Sequence, residues 1–284
     1  MQFTVIGAAN IDIKTKSKAP IIHEDSNPAD VSMRAGGVAR NISAMLAHYN
    51  ANVHLITAVG NDPFGKMLQE SCRTLGINTD AWIIKKNADT GVYVAALEDD
   101  GELFAAFNAT TIQESIRTAE ITKHKKLIES SDLLVMDLNL SDKILNLAIE
   151  LREGRPIMID VVSAAKVPRI EPIIEKIDIL KLNRIEAEHL TGIKLDTKER
   201  VKQAGRLIVS HGVKRVFITL GMAGVCAAEA QSEIIVPAIP MAVKDVTGAG
   251  DAFAAGVAMN INRSLRDQAQ AGVKYAAEYL RSKN

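Results

Sequence analysis

One stretch combines the glycines and carboxylates that phosphate chemistry requires. In residues 245–256, Gly248 and Gly250 flank Ala249, Asp251 follows directly, and small apolar residues come next. This pattern predicts a tight turn that leads into the first turn of a buried helix. The leading amides of such a helix lack internal partners and favour negative charge, so a phosphate group can bind there. Asp251 would then be placed to accept a proton from an attacking hydroxyl group.

A Gly-x-Gly turn alone is most often only a turn before a packed helix. Here Asp245, Thr247 and Asp251 stand at offsets that favour a functional site. The segment resembles the C-terminal signature of the ribokinase-like (PfkB) family of carbohydrate and nucleoside kinases. The resemblance implies Asp251 as catalytic base, with the amides of Gly248, Ala249 and Gly250 stabilising the transferred group. It also implies ATP and Mg²⁺ as cofactors.

Two segments near the N-terminus are candidates for substrate binding. Asn10 and Asp12 follow a buried strand, Phe3 to Gly7, and ligand groups in open α/β sheets gather at that edge. Both residues are also common turn formers. The pair Gly36-Gly37 then opens a helix that we predict from Val38 to about Tyr49, with Asn41 one turn in. The family resemblance assigns sugar binding to Asp12, Gly36, Gly37 and Asn41.

A hairpin interrupts the early part of the chain. Strand-like runs at 90–97 and 102–108 are joined by residues 98–101, which end in Asp-Gly. Together with residues 13–34, which we predict as a loop or edge strands, the hairpin can form a small separate sheet. In the family such a sheet is a lid over the sugar, often used for dimer contacts, which implies a lid of about residues 11–35 and 88–110. The alternative is a surface hairpin without function.

The rest of the chain indicates one α/β domain over residues 1–284. We predict one strand from Val53 to Val59, and then a helix capped by Asp62. From residue 119 the alternation becomes regular, with strands at 133–138, 156–161, 178–182 and 215–220 separated by helices. This spacing predicts a mostly parallel central sheet with helices on both faces. The family resemblance implies the same three-layer, ribokinase-like fold.

Two further motifs resemble the nucleotide side of the family. Asn183 and Glu186 match an Asn-x-x-Glu motif, which implies that they help to hold Mg²⁺, water and ATP phosphates. A carboxylate beside a triphosphate requires a divalent cation between them. On its own, Glu186 is a first-turn acid favoured by the helix dipole. Thr219, Gly221 and Gly224 resemble the family's turn near the phosphates and adenosine, and the resemblance adds Thr247, Gly248 and Gly250 as ATP contacts.

The substrate prediction comes from finer likenesses. Residues 160–166 resemble the Asp-x-x-Ser-x-x-Lys segment of pseudouridine kinases, and we assign Lys166 to ATP binding. Asn139 stands where ribokinases carry Glu, and we assign it to the substrate. The resemblance implies transfer of phosphate to the 5′-hydroxyl of pseudouridine. The alternatives are a ribokinase- or fructokinase-type sugar kinase, another nucleoside kinase, or a binding protein on the same fold without catalysis.

A monovalent-cation site is a further expectation. Asp245 and Thr247 are candidate K⁺ ligands by resemblance. The family carries a cation-binding loop after the last helix, and we expect that loop to be short here because the sequence ends at Asn284.

Composition excludes several other classes. The 284 residues carry 34 Lys plus Arg and 34 Asp plus Glu, so no global basic field indicates a nucleic-acid partner. The six His residues have no metal-ligand spacing, and the two Cys residues lie far apart, as in a reduced cytoplasmic protein. We find no signal peptide, no membrane-length apolar run, and neither a P-loop nor a GxGxxG motif. We expect a homodimer through the lid.

Overall fold

The computed structural model describes residues 1–243 and 245–283. The strands are β1 (Gln2–Ile6), β2 (Asn10–Ser17), β3 (Ala29–Gly36), β4 (Asn52–Ile56), β5 (Ala58–Gly60), β6 (Ile83–Lys85), β7 (Val92–Leu97), β8 (Leu103–Ala109), β9 (Leu133–Asp137), β10 (Ile157–Asp160), β11 (Ile179–Asn183), β12 (Arg215–Thr219), β13 (Val225–Glu229) and β14 (Ser232–Val236). The α-helices are α1 (Val38–His48), α2 (Pro63–Thr74), α3 (Thr118–Thr122), α4 (Lys125–Glu129), α5 (Asp142–Leu151), α6 (Arg184–Thr191), α7 (Lys198–Ser210), α8 (Ala249–Met259) and α9 (Leu265–Ser282). Short 3₁₀ segments span Thr111–Ser115, Ala164–Lys176 and Gly221–Ala223.

The central sheet has the strand order β14-β13-β12-β11-β10-β9-β1-β4. The six strands from β12 to β4 run parallel, and β13 and β14 add an antiparallel edge. The predicted mostly parallel α/β fold is therefore confirmed. The carboxyl ends of β1, β9, β10, β11 and β12 meet at one edge of this sheet, where ligands bind in such folds.

Both faces of the central sheet are buried, which explains why its strands are apolar almost throughout. Along β9, Leu134 and Met136 belong to one core cluster. Leu133 and Val135 point the other way and belong to a second cluster. Burying an unpaired charge is costly, so each of the few charged residues in these strands requires a partner.

A separate small sheet contains β3, β2, β7 and β8 in that order. Residues 13–34, predicted as a loop or edge strands, supply most of β2 and β3 and the turn between them. One register row crosses the whole sheet with apolar side chains: Met33, Ile13, Val94 and Phe107. The neighbouring row, which faces the opposite way, contains Asp12 and Arg34. The small sheet therefore has one apolar face and one polar face.

The single strand predicted from Val53 to Val59 is wrong, because the chain leaves the central sheet after Ile56. β4 pairs with β1, whereas β5 pairs with β6 in a two-stranded sheet. The side chain of the buried Gln113 accepts from the Ala58 amide at 3.0 Å and donates to the Ala58 carbonyl at 2.9 Å. Ala58 pairs with β6 on one side, and the Gln113 side chain satisfies its main-chain amide and carbonyl in place of a second strand.

Helix α8 is buried because it packs closely against α9. A Cβ atom on Gly256 would lie 2.7 Å from the carbonyl oxygen of Ala271, so only glycine allows the two backbones to approach this far. Within residues 1–243 and 245–283, no helix has both the length and the apolar character needed to cross a membrane.

Candidate active site

The turn before α8 presents main-chain amides to the sheet edge. Gly248 caps the helix with φ 85° and ψ −5°, a left-handed conformation that suits glycine. The Ala249 amide donates to the Val246 carbonyl at 3.1 Å. Among the described residues, no acceptor is found for the amides of Gly248, Gly250 and Asp251, so Gly248 and Gly250 keep donors that an anion can accept from. Of the three amides predicted to bind the transferred group, Ala249 is thus already engaged.

Asp251 lies in the first turn of α8 and is held from the opposite side of the site. The Asn41 amide nitrogen, on α1, donates to its Oδ2 atom at 2.8 Å. Burial and the charge of Asp160 raise the pKa of Asp251 to about 7, against the opposing effects of Lys181 and of the Asn41 bond. A carboxylate with a pKa near neutrality is suited to accept a proton in catalysis.

A buried ion pair lies directly behind this turn. Asp160 ends β10 and Lys181 lies beside it on β11, with Nζ 2.9 Å from Oδ2. Lys181 is only 7% exposed. Burial opposes its charge, but the carboxylates of Asp160, Glu186 and Asp251 outweigh this effect and raise the pKa of Lys181. A Cβ atom on Gly250 would lie 3.1 Å from Nζ, so the ammonium is adjacent to the anion-binding turn.

Asp137 joins three segments at the end of β9. Its Oδ2 atom accepts from the amides of Ala8 at 2.9 Å and Ala39 at 3.0 Å, and Oδ1 accepts from Asn139. Burial raises the pKa of Asp137, and these hydrogen bonds oppose the shift. At Gly37, φ is 94° and a Cβ atom would overlap the Ala8 carbonyl, so the start of α1 can approach β1 only with glycine there.

The residues predicted to bind substrate lie around this edge. The Asn10 amide nitrogen donates to Asp12 Oδ1 at 2.6 Å, and Gly36 stands against the Asp12 carboxylate. Burial raises the pKa of Asp12. Asn139, also predicted for substrate, accepts a hydrogen bond from Nζ of Lys166, which was predicted for ATP. The structure therefore places Asn139 and Lys166 together.

A cleft of about 590 Å³ separates the small sheet from α8 and α9. The polar face of the small sheet lines it on one side, through Asp12 and Arg34. Asn41 and Gly248 line the opposite side. A polar molecule bound in this cleft would therefore lie between Asp12 and the turn before α8.

Asn183 and Glu186 form a reciprocal cap at the start of α6. The amide and side chain of Asn183 donate to the Glu186 carboxylate at 2.8 Å and 2.6 Å, and the Glu186 amide donates back at 2.9 Å. Burial raises the pKa of Glu186, while Lys181 opposes this. Both carboxylate oxygens are engaged, so Glu186 would reach a metal ion through water.

A mostly apolar cavity of about 320 Å³ lies on the other side of the turn. Thr219, Gly221 and Gly224 line one wall. Ala249 and Gly250 form the end next to the anion-binding amides, and α9 contributes Val273, Ala276, Ala277 and Leu280. Its position and lining suit a flat aromatic group whose phosphates reach Gly248 and Gly250.

The two candidate K⁺ ligands lie in the turn before α8, and both line the polar cleft. The Thr247 amide donates to Asp245 Oδ1 at 2.9 Å. Hydrogen bonds from Thr247 keep the pKa of Asp245 below its ordinary value, and Lys283 adds to this effect. Lys283 contacts both residues.

Several side chains described above were not predicted as site residues, among them Asp137, Asp160, Lys181 and Arg40. Lys181 and Asp160 interrupt apolar strand runs, and a charge inside such a run is the signal that identifies them. Arg40 donates to the Asn41 carboxamide oxygen at 2.9 Å, which turns the amide nitrogen of Asn41 toward Asp251. Nothing in the local sequence distinguishes Arg40 from a solvent-exposed residue of α1.

The arrangement supports transfer of a negatively charged group to a hydroxyl group. Unpaired amides and the Lys181 ammonium can stabilise the anion, and Asp251 can accept the proton. The polar cleft reaches the turn before α8 at Gly248, and the apolar cavity reaches it at Ala249 and Gly250. Each of two reactants would therefore have its own compartment.

Comparisons with known proteins give a matching family, relatives in sequence and solved structures with a similar fold. Residues 2–284 match the family model described as pfkB family carbohydrate kinase. The chain is 33% identical over 255 residues to a pseudouridine kinase of Escherichia coli strain K12, covering 89% of this chain and 82% of that enzyme. A carbohydrate kinase from Agrobacterium tumefaciens has 27% identity and a TM-score of 0.86, over 97% of this chain and 89% of that one. Arabidopsis thaliana ribokinase, complexed with ribose and ATP, has a similar fold at 24% identity. Its TM-score is 0.89, and the match covers 99% of this chain and 93% of that ribokinase.

Proposed function

The chain belongs to the PfkB family of carbohydrate kinases, and we propose that it transfers the γ-phosphoryl group of ATP to the 5′-hydroxyl of pseudouridine. It is a phosphotransferase that acts on a hydroxyl group. The similarity to a pseudouridine kinase supports the choice of nucleoside. The observation that carries the proposal is Asp251, which lies beside the unbonded amides of Gly248 and Gly250 with a pKa of about 7.

Asp251 acts as the base in this proposal. The nucleoside lies in the polar cleft, and its ribose is held by Asn10, Asp12, Gly36, Gly37 and Asn41. Asn139, at the carboxyl edge of the central sheet, also contacts the nucleoside. As the 5′-oxygen forms a bond to the γ-phosphorus, the bond from that phosphorus to the β,γ-bridging oxygen breaks and ADP leaves. Asp251 accepts the hydroxyl proton, and the two amides and Lys181 stabilise charge on the phosphoryl oxygens. Positioning of the two reactants supplies much of the rate, because little covalent chemistry is left to the protein.

ATP fits the apolar cavity, with its phosphates directed toward the turn before α8. Residues 1–243 and 245–283 contain no group of three His, Cys, Asp or Glu residues that could hold a metal ion alone. Mg²⁺ commonly binds through phosphates, water and one or two carboxylates, so Glu186 and Asn183 suit an outer position. When bound, Mg²⁺ would neutralise charge on the phosphates.

A coupled ATPase assay with pseudouridine, uridine, adenosine, ribose and fructose tests the proposal. We expect turnover with pseudouridine to exceed that with the other four. Turnover of ribose or fructose without turnover of pseudouridine would establish a sugar kinase instead. Tight binding of a nucleoside by calorimetry, with no turnover of any compound, would establish a binding protein.

The pH dependence of the free enzyme follows from the raised pKa of Asp251. Only the ionised carboxylate accepts a proton, so kcat/KM should fall as the pH drops through about 7 and level off above it. A pH series of kcat/KM measures the midpoint of this acid limb. A plateau that extends unchanged down to pH values near the ordinary Asp pKa of 3.8 would contradict the role of Asp251.

We propose that the small sheet is a lid over the substrate and that its apolar face joins two copies of the chain. Phe107 is 67% exposed and Met33 is 46% exposed, although both belong to the apolar row. Exposed apolar surface of this kind marks interaction sites. Phe107→Glu should therefore convert a dimer into a monomer in light scattering. Lys18→Glu, at the exposed residue that follows β2, is the control, and a wild-type monomer would disprove the interface.

A further inference from the structure

An ammonium group lies against the anion-binding turn, at the wall of the polar cleft. Lys283 follows α9 and reaches back so that Nζ lies 2.7 Å from the Thr247 carbonyl oxygen. The same nitrogen is 3.2 Å from Asp245 Oδ2 and 5.2 Å from the centre of the Tyr279 ring. The Lys283 side chain is only 21% exposed. These contacts define a built site for one positive charge.

The oxygen atoms around Lys283 are those that a K⁺ ion would need. Main-chain carbonyl and carboxylate oxygens are suitable ligands for this ion. Asp245 and Thr247 are the two candidate K⁺ ligands, but Lys283 contacts one oxygen of each, and the second Asp245 oxygen accepts from the Thr247 amide. The site as built therefore does not fit an added K⁺ ion.

The contact also fixes the direction of a catalytic amide. Thr247 and Gly248 share one peptide group, which is planar, with its C=O and N–H pointing in opposite directions. Because Lys283 holds the Thr247 carbonyl, the Gly248 N–H must point away from Lys283. No acceptor is found for this amide among the described residues, so in the proposed function it can donate to the transferred phosphoryl group.

We infer that the Lys283 ammonium permanently replaces a monovalent cation and orients the Gly248 amide. Turnover by the enzyme is therefore independent of K⁺. Lys283 is a positioning residue, because its contacts are with Asp245 and with the carbonyl of the Thr247–Gly248 peptide. The inference rests on the proposed function only in placing the phosphoryl group at Gly248.

The first part of the test measures turnover of the wild-type enzyme in different salts, and the second part measures turnover of variants. Turnover of the wild-type enzyme is measured in KCl, NaCl and tetramethylammonium chloride, with ATP and Mg²⁺ supplied free of K⁺. We expect the same rate in all three salts. A wild-type enzyme that is inactive on every compound in all three salts would reject the proposed function, whereas activity that requires K⁺ would reject only the inference.

Lys283→Met provides the second arm. Without the ammonium, the Gly248 amide loses its orientation, and turnover in tetramethylammonium chloride should fall about tenfold or more. KCl should restore part of this loss and should raise the melting temperature of the variant but not of the wild type. Lys274→Met is the matched control, because Lys274 lies on α9, which Lys283 follows, and forms an exposed i,i+4 contact with Glu278.

Two results would overturn the inference. One is strong activation of the wild-type enzyme by K⁺. The other is a Lys283→Met variant that keeps the wild-type rate in tetramethylammonium chloride. Circular dichroism shows whether the variant is folded, and if it is not, the wild-type salt series decides alone.

Discussion

Replacing Asp251 with Asn is expected to lower kcat by about 10²- to 10⁴-fold, because the reaction loses the group that accepts the hydroxyl proton. Asn keeps the size of the side chain, so the Asn41 contact is altered but the turn is not. The pKa of Asp251 is raised from 3.8 to about 7 in the fold, so its ionised form opposes folding above that pH. The variant should therefore be at least as stable as the wild type at pH 8.

Two measurements accompany this prediction. Steady-state kinetics with pseudouridine give kcat, and urea denaturation at several pH values gives the free energy of unfolding. The wild type should lose stability between pH 4 and pH 7, and the variant should lose less over the same window. Asp267→Asn, in the first turn of α9, is the control. An Asp251→Asn variant that keeps most of its activity would show that another group is the base.

Replacing Lys181 with Met is expected to reduce the free energy of unfolding by about 3–5 kcal/mol, because the buried Asp160 carboxylate loses the cation that compensates its charge. Asp160 is 1% exposed. The loss of this nearby cation should also raise the pKa of Asp251 further, so the acid limb of kcat/KM should move to higher pH. Urea denaturation measures the first effect, and a pH series measures the second.

The double variant Asp160→Asn, Lys181→Met separates charge from packing. It removes both charges, so it should be more stable than Lys181→Met alone. Lys18→Met breaks an exposed pair with Asp30 and should cost about 1 kcal/mol or less. Two results together would show that the buried pair does not act through its charge. The double variant would be no more stable than Lys181→Met, and the acid limb of kcat/KM in Lys181→Met would lie at the same pH as in the wild type.

Local sequence patterns were sufficient to predict those structural features that depend on residues close together in the chain. The apolar strands separated by helices predicted the parallel sheet, because burial on both faces requires that composition. The glycines around Ala249 predicted the turn before α8, because the left-handed conformation of Gly248 suits glycine. The Asp-Gly pair between β7 and β8 predicted their hairpin for the same reason.

Features that depend on distant residues could not be predicted in this way. The break between β4 and β5 depends on the Gln113 side chain, which lies 55 residues from Ala58. The pair of Lys181 with Asp160 follows from the order of strands in the sheet. Lys283 meets Thr247 only because α9 returns along α8. Periodicity indicates that a segment is buried, but not which residue lies opposite it.

The hydrogen bond between Asn41 and Asp251 spans 210 positions of the chain. During synthesis on the ribosome, the first half of this pair is made long before the second. A nascent chain therefore has no complete catalytic centre until α8 has emerged and packed beside α1, whatever else has already folded. A fragment that ends before residue 251 should still be able to form part of the central sheet, but it would be inert toward both substrates.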